Sequence, residues 1–131
     1  MESFNLTKVF SVNPETIYNA WLDSEIHSEI VGSKSVIDPK VNGRFSIWDG
    51  YITGWNVELL PNQKIIQNWR TSEFPEDSAD SILEIELEEH ASGTRLKLTH
   101  SNIPDGQSKS YKQGWIDYYF EPMKEYFENK S

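Results

Sequence analysis

Between residues 82 and 101 apolar and polar positions alternate with a period of two, the pattern of half-buried strands. Leu83, Ile85 and Leu87 alternate with Glu84, Glu86 and Glu88, and Leu96, Leu98 and His100 alternate with Arg95, Lys97 and Thr99. If the loop around residues 90–93 joins the two runs antiparallel, Leu87 faces Leu96 and Ile85 faces Leu98. Glu88 then meets Arg95, and Glu86 meets Lys97, on the outer surface. Such exposed charge pairs contribute roughly 0.2–1 kcal/mol each and tune register, whereas truncating an inner leucine typically costs about 2–5 kcal/mol.

The same reading extends along the chain. Phe4, Leu6 and Phe10 mark a first strand over residues 3–11. Asn13-Pro14 supplies an N-cap followed by proline at the first helical position, and Ile17, Tyr18, Ala20 and Trp21 follow at helical spacing. A second short helix restarts at Asp23-Ser24 and stops at Gly32. Short strands follow at residues 35–38 and 45–48, and from Tyr51 to Leu60. Asp49-Gly50 forms a hairpin turn, because both residues tolerate positive φ. Residues 65–70 make the next strand, and residues 71–80 a loop. After a turn at residues 102–106 a long helix runs to about Asn129. Trp115, Tyr119, Met123 and Tyr126 form one stripe on it, with Ile116, Phe120 and Phe127 alongside. So wide an apolar arc must face a partner along most of its length. Pro122, inside the pattern, removes one hydrogen bond and predicts a bend. The order predicts an α+β domain spanning 1–131: a curved antiparallel sheet of about six to seven strands around a long C-terminal helix, with two short helices after strand one.

Composition narrows the function classes. The 131 residues include no cysteine, which removes disulfides, thiolate metal sites and a cysteine nucleophile. The start lacks a signal-peptide pattern, and no apolar run approaches the roughly 20 residues that cross a bilayer. A cytoplasmic location is the expectation. The net charge of −9, from 21 acidic against 12 basic residues, argues against nucleic acid and acidic membranes as partners. Five Trp, six Tyr and six Phe are unusually many for closing so small a core, which points some of them toward a pocket or a contact surface.

Two segments carry a family resemblance. Residues Gly93-Thr94-Arg95-Leu96-Lys97-Leu98-Thr99-His100-Ser101-Asn102-Ile103-Pro104 resemble the "GT-L-L-H-IP" segment of domains homologous to the activator of the ninety-kilodalton heat-shock chaperone ATPase. Gly114-Trp115-Ile116-Asp117-Tyr118-Tyr119, continuing to Tyr126-Phe127, resembles their C-terminal "GW…YY…L…YF" helix. Phe10, Pro14, Tyr18, Trp21, Gly43 to Phe45, Asp49-Gly50, Gly54, Glu58, Pro61 and Trp69 also fall where that pattern expects them. The resemblance covers nearly the whole chain. It implies the helix-grip fold, also called START-like or Bet v-like (the SRPBCC superfamily), which often holds a hydrophobic ligand between sheet and helix. It also implies possible contact with a heat-shock chaperone.

Catalytic signatures are sparse. The three histidines lie on a helix (His27), in a hairpin loop (His90) and on a strand (His100), and no two share a short helical spacing, which disfavours a histidine metal site. There is no G-x-S-x-G elbow and no G-x-G-x-x-G or phosphate loop, so no cofactor is expected. His100 shares the inward face with Leu96 and Leu98. It reads either as a polar anchor or general base in a pocket, or as a structural histidine bonding backbone where the 102–106 turn meets the helix. Arg44 and Arg70 are candidate clamps for a ligand carboxylate if they face inward. The first reading of function is a binder of a hydrophobic small molecule, lipid-like or aromatic. Its candidate walls are Tyr18, Trp21, Phe45, Trp69, Leu83, Ile85, Leu98, Trp115, Tyr119 and Met123, with His100 as the anchor. The same residues would equally make a filled core. A chaperone-interaction module is the second reading. A cyclase or hydrolase of aromatic compounds is the third and the least favoured, because His100 has no partner carboxylate in sequence.

Overall fold

The computed structural model describes residues 1–130. Its first strand, β1 (Glu2–Phe10), runs into two short helices, α1 (Pro14–Leu22) and α2 (Ser24–Val31). Six strands follow: β2 (Ser35–Ile37), β3 (Arg44–Ile47), β4 (Ile52–Leu60), β5 (Lys64–Thr71), β6 (Ser81–His90) and β7 (Gly93–Ile103). The chain ends in a helical rod made of α3 (Ser108–Trp115), a π-helical turn (Ile116–Phe120) and α4 (Glu121–Lys130). All strands join one antiparallel sheet in the order β1-β7-β6-β5-β4-β3-β2. This is the helix-grip architecture expected above.

Local chemistry explains the elements. Asn13 Oδ1 accepts from the Thr16 amide at 2.9 Å, and Pro14 opens α1 with a fixed φ and no orphaned N–H. Asp23 ends α1 and caps α2, accepting from the Ile26 amide at 2.9 Å. Gly32, at φ 74°, closes α2. Helix α2 also covers the edge strand β2. Ser28 Oγ accepts from the Ser35 amide and Ser24 Oγ from the Ile37 amide, each at 2.8 Å. Side chains thus take up amides that an exposed edge would offer to another chain.

The β6–β7 register pairs Leu87 with Leu96, Ile85 with Leu98, Glu88 with Arg95 and Glu86 with Lys97, as the alternation requires. Leu83, Ile85, Leu96 and Leu98 are fully buried between sheet and helix. Two expectations need correction. Asp49-Gly50 is the centre of a four-residue connection, since Ile47 pairs with Ile52. Trp48 and Asp49 join Gly50 at positive φ (53°, 52° and 97°), a conformation that a bulky residue adopts only when its surroundings hold it there. The irregularity expected at Pro122 takes the form of the π-turn just before it. The Glu121 N–H donates to the Ile116 carbonyl five residues back, which widens the helix ahead of the proline ring.

Gly54 on β4 lets the sheet close on its core. A Cβ there would lie 2.7 Å from Phe45 Cζ and 1.8 Å from the Asn68 carbonyl oxygen. We expect Gly54→Ala to lower unfolding free energy by at least about 2 kcal/mol in denaturant titrations, because the Asn68 backbone of β5 and the Phe45 ring must both shift. A loss below about 0.5 kcal/mol would show that the strand yields freely.

Candidate functional site

The concave face of the sheet is filled by rings. Trp115 stacks on Trp21 (centroids 6.0 Å, 24° between planes) and packs on Tyr119 at 4.6 Å and Trp69 at 5.7 Å. Trp21 also stacks on Tyr119 at 5.2 Å. Such pairs contribute about 0.5–1.5 kcal/mol beyond their burial.

Two histidines bond the Trp115 indole and the Tyr119 hydroxyl of this cluster. The Trp115 indole N–H donates to His100 Nδ1 at 3.1 Å. An indole nitrogen only donates, so Nδ1 is the bare nitrogen and the proton sits on Nε2, which donates to Ser81 Oγ at 2.8 Å. Ser81 passes its own proton to the Trp69 carbonyl at 2.6 Å. His27 uses the other tautomer: Nδ1–H donates to the Trp21 carbonyl at 2.8 Å, and Nε2 accepts from the Tyr119 hydroxyl at 2.7 Å. Burial pushes His27 down to about 4 and His100 down to about 3, so both are neutral near pH 7. Burial also raises the Tyr119 phenol.

These bonds correct the reading of His100. Both of its ring nitrogens are engaged by side chains, and neither bonds backbone at the 102–106 turn. Neither nitrogen is left for a ligand or a base role. Arg44 and Arg70 lie on the outer face. Arg70 is held by Asp80 at 2.8 Å and by the Ser78 and Pro75 carbonyls, and Arg44 lies over the Trp55 ring at 5.6 Å. No inward carboxylate clamp exists at either position. Among the described residues no group of three or more His, Asp or Glu side chains is placed to share a metal ion.

Nor does one long chamber run down the grip. Trp21, Phe45, Leu83, Trp69, Trp115 and Tyr119 surround a void of about 10 Å³ with His27 and Gln67, room for one water at most. Met123 borders another void of about 10 Å³. Tyr18, Ile85, Leu98 and His100 line neither void. They are packed core, because the large rings consume the space.

An open hollow bordered by the core rings lies at one end, between the turn of residues 48–51 and α3. It measures about 110 Å³ and is lined by Trp48, Tyr51, Ile52, Trp69, Ser110, Tyr111, Gly114, Trp115, Tyr118 and Tyr119. Trp69, Trp115 and Tyr119 are therefore both core and wall. The left-handed Trp48 is pinned by its indole N–H to the Val31 carbonyl at 3.0 Å, and the Asp49 amide is bonded to the Lys34 carbonyl at 3.0 Å. Trp48 meets Tyr118 edge to face at 5.3 Å, and Tyr118 remains 55% exposed. At the rim Tyr51 O–H donates to Glu73 Oε2, and Tyr111 shares a 2.7 Å bond with Thr71 Oγ1. Burial, followed by the bond to Glu73, raises the Tyr51 phenol.

Sequence reasoning missed Trp48, Tyr51, Tyr111 and Gly114 as lining and His27 as a core partner. His27 had a signal, its i, i+3 spacing with the buried Ile30. Trp48 had none, because its position depends on an αL conformation that its residue type disfavours.

The fold and site define a helix-grip domain with a filled aromatic core and a small open mouth. The chain belongs to the family described as "Activator of Hsp90 ATPase homolog 1-like protein", whose model matches residues 11–128. It is similar to mouse "Activator of 90 kDa heat shock protein ATPase homolog 2", 29% identical over 93% of this chain and 37% of the relative. The human homolog 1 is 26% identical over 93% of this chain and 36% of that protein. The chain thus spans about a third of the length of these curated relatives. A solved structure titled as an HSP90 activator from Plasmodium falciparum superposes with a TM-score of 0.89 at 29% identity, covering 97% of this chain and 96% of that one. The solution structure of an Aha1 dimer from Colwellia psychrerythraea shares the fold, with a TM-score of 0.78 at 18% identity over 95% of this chain and 94% of that one.

The two depressed histidines set a pH dependence. The unfolded chain binds protons near the ordinary value of 6.5, whereas the folded chain refuses them until about 4 and about 3. Their contribution is fully present above pH 6.5 and is lost as pH falls through that window, by up to about 1.4 kcal/mol per pH unit per histidine. Unfolding free energies at pH 7, 6 and 5 should decline, and His27→Gln should flatten the slope. An equal slope in that variant would count against a neutral His27 in the core.

Proposed function

We propose that this chain is a binding domain that takes a small apolar or aromatic group into the mouth between the turn of residues 48–51 and the C-terminal helix. The observation that carries this reading is Gly114. It sits inside α3, where glycine costs about 0.5–1 kcal/mol relative to alanine. No close approach demands it: a Cβ there would meet only Tyr118 Cδ2, at an ordinary 3.8 Å. Its missing side chain leaves room in the hollow instead. At about 110 Å³ the hollow is well below the roughly 300–1,000 Å³ of drug-sized pockets, so it suits a head group or a single ring rather than a lipid chain.

Gly114→Leu tests this directly. Its side chain should fill the hollow while leaving the core in place. We expect the melting temperature to hold or rise, and NMR shifts of the Trp48 and Trp115 indole signals on adding small aromatic probes to vanish. Persistence of those shifts in the filled variant would end the reading.

A second reading, contact with a heat-shock chaperone, is favoured by the relatives' descriptions and by a solved HSP90 activator of matching extent. The ATPase rate of the organism's own Hsp90-class chaperone should rise when this chain is added. No change in that rate would retire this reading.

A further inference from the structure

We propose that the mouth receives a cationic head of the methylated-ammonium class, held by ring faces rather than by an ion pair. This rests on the reading of the hollow as a binding site and names the chemistry that it selects.

Four observations converge. First, among the described residues no Lys, Arg or His lines the hollow, so nothing there neutralises an acidic ligand. Lys34, in the connection between α2 and β2, and Lys109 and Lys112, on α3, do not line it. Second, the lining rings stand at steep angles. Trp48 meets Tyr118 at 85°, and Trp69 meets Tyr111 at 81°. Seven of the ten lining residues are aromatic, so a small guest is surrounded by rings, and a cation seated over a ring face is attracted to it.

Third, most of the polar side-chain atoms of the walls are already bonded within the protein. The Trp48 N–H goes to the Val31 carbonyl, the Trp115 N–H to His100, the Tyr119 hydroxyl to His27 and the Tyr111 hydroxyl to Thr71 and Gln107. The walls therefore offer faces and few acceptors. A primary ammonium would lose its water without replacement, whereas a methylated one carries little water to lose. Fourth, Tyr51 donates to Glu73 at the rim. That bond fixes a carboxylate beside the entrance and pushes electron density into the phenol ring. The chain's net charge of −9 draws cations toward it from a distance. The volume of about 110 Å³ admits a trimethylammonium head and leaves its substituent in solvent.

The test compares choline with its neutral carbon isostere, 3,3-dimethylbutan-1-ol, on the full chain, read by NMR shifts of the Trp48 and Trp115 indole signals. Choline should bind at least tenfold more tightly. Tyr118→Leu, at an exposed position that keeps apolar bulk but removes a ring face, should weaken choline severalfold and leave the isostere nearly unchanged. Equal affinity for the two probes, or choline binding indifferent to Tyr118→Leu, overturns the cation assignment while the apolar binding site stands. Absence of binding by either probe at millimolar concentration overturns both.

Discussion

The structure depends on filling the space between a curled sheet and its helix with rings, and on finding partners inside for the polar atoms that the two central rings, Trp115 and Tyr119, bury there. Trp115 sits at the centre of this constraint. Its ring packs on Trp21, Trp69 and Tyr119, and its N–H needs an acceptor that no backbone group supplies. His100 meets that need by giving up Nδ1, which commits its only proton to Ser81, and Ser81 in turn to the Trp69 carbonyl. One donor thus fixes a tautomer, a hydroxyl orientation and a strand contact. Leaving any member unpaired in so dry a site costs about 1–3 kcal/mol, more than most single contacts contribute.

The same logic operates from the opposite wall. Tyr119 presents its hydroxyl on the π-helical turn, where the wider spiral changes the direction of side chains relative to an ordinary α-helix. His27 accepts that hydroxyl while its other nitrogen holds the Trp21 carbonyl near the end of α1. The two histidines are therefore fasteners of opposite tautomer, one joining helix to sheet and one joining helix to helix. The chemistry that makes imidazole useful in catalysis is consumed by architecture. Space beside the central rings opens where Gly114 withholds a side chain and the turn of residues 48–51 borders the gap.

Much of the fold was legible in the sequence because period-two alternation and helix caps are local signals. The β6–β7 register follows from Leu83, Ile85, Leu96 and Leu98 together with the short loop that joins the strands, since a one-residue slip of either strand would turn its leucines to solvent and the loop leaves no room for a larger one. The C-terminal helix was legible as a stripe. The site was not, for two physical reasons. Side-chain volume decides whether a grip is hollow, and alternation says which way Trp69 or Leu98 points but not how much space their neighbours leave. Trp48 reaches the mouth through a backbone conformation that propensity argues against, so only the tertiary bonds to Val31 and Lys34 reveal it. His27 lay between. Its spacing marked it as inward, but its partner Tyr119 is 92 residues away.

The two readings of function draw on different parts of the molecule. A small-molecule site needs ring faces that reach solvent, and these occur where Trp48 and the half-exposed Tyr118 border the hollow. A protein contact needs area, and the outer face offers it. There a depression of about 370 Å³ runs past Val36, Arg44 and Trp55 toward the Arg70–Asp80 pair. The core between them is filled, and Trp115 and Tyr119 are each held by both packing and a hydrogen bond. A rigid sheet flanked by two unlike surfaces can serve either purpose without rearranging. Family membership therefore says more about the scaffold than about which surface this chain uses, and the chemistry of the mouth is where its own residues are most specific.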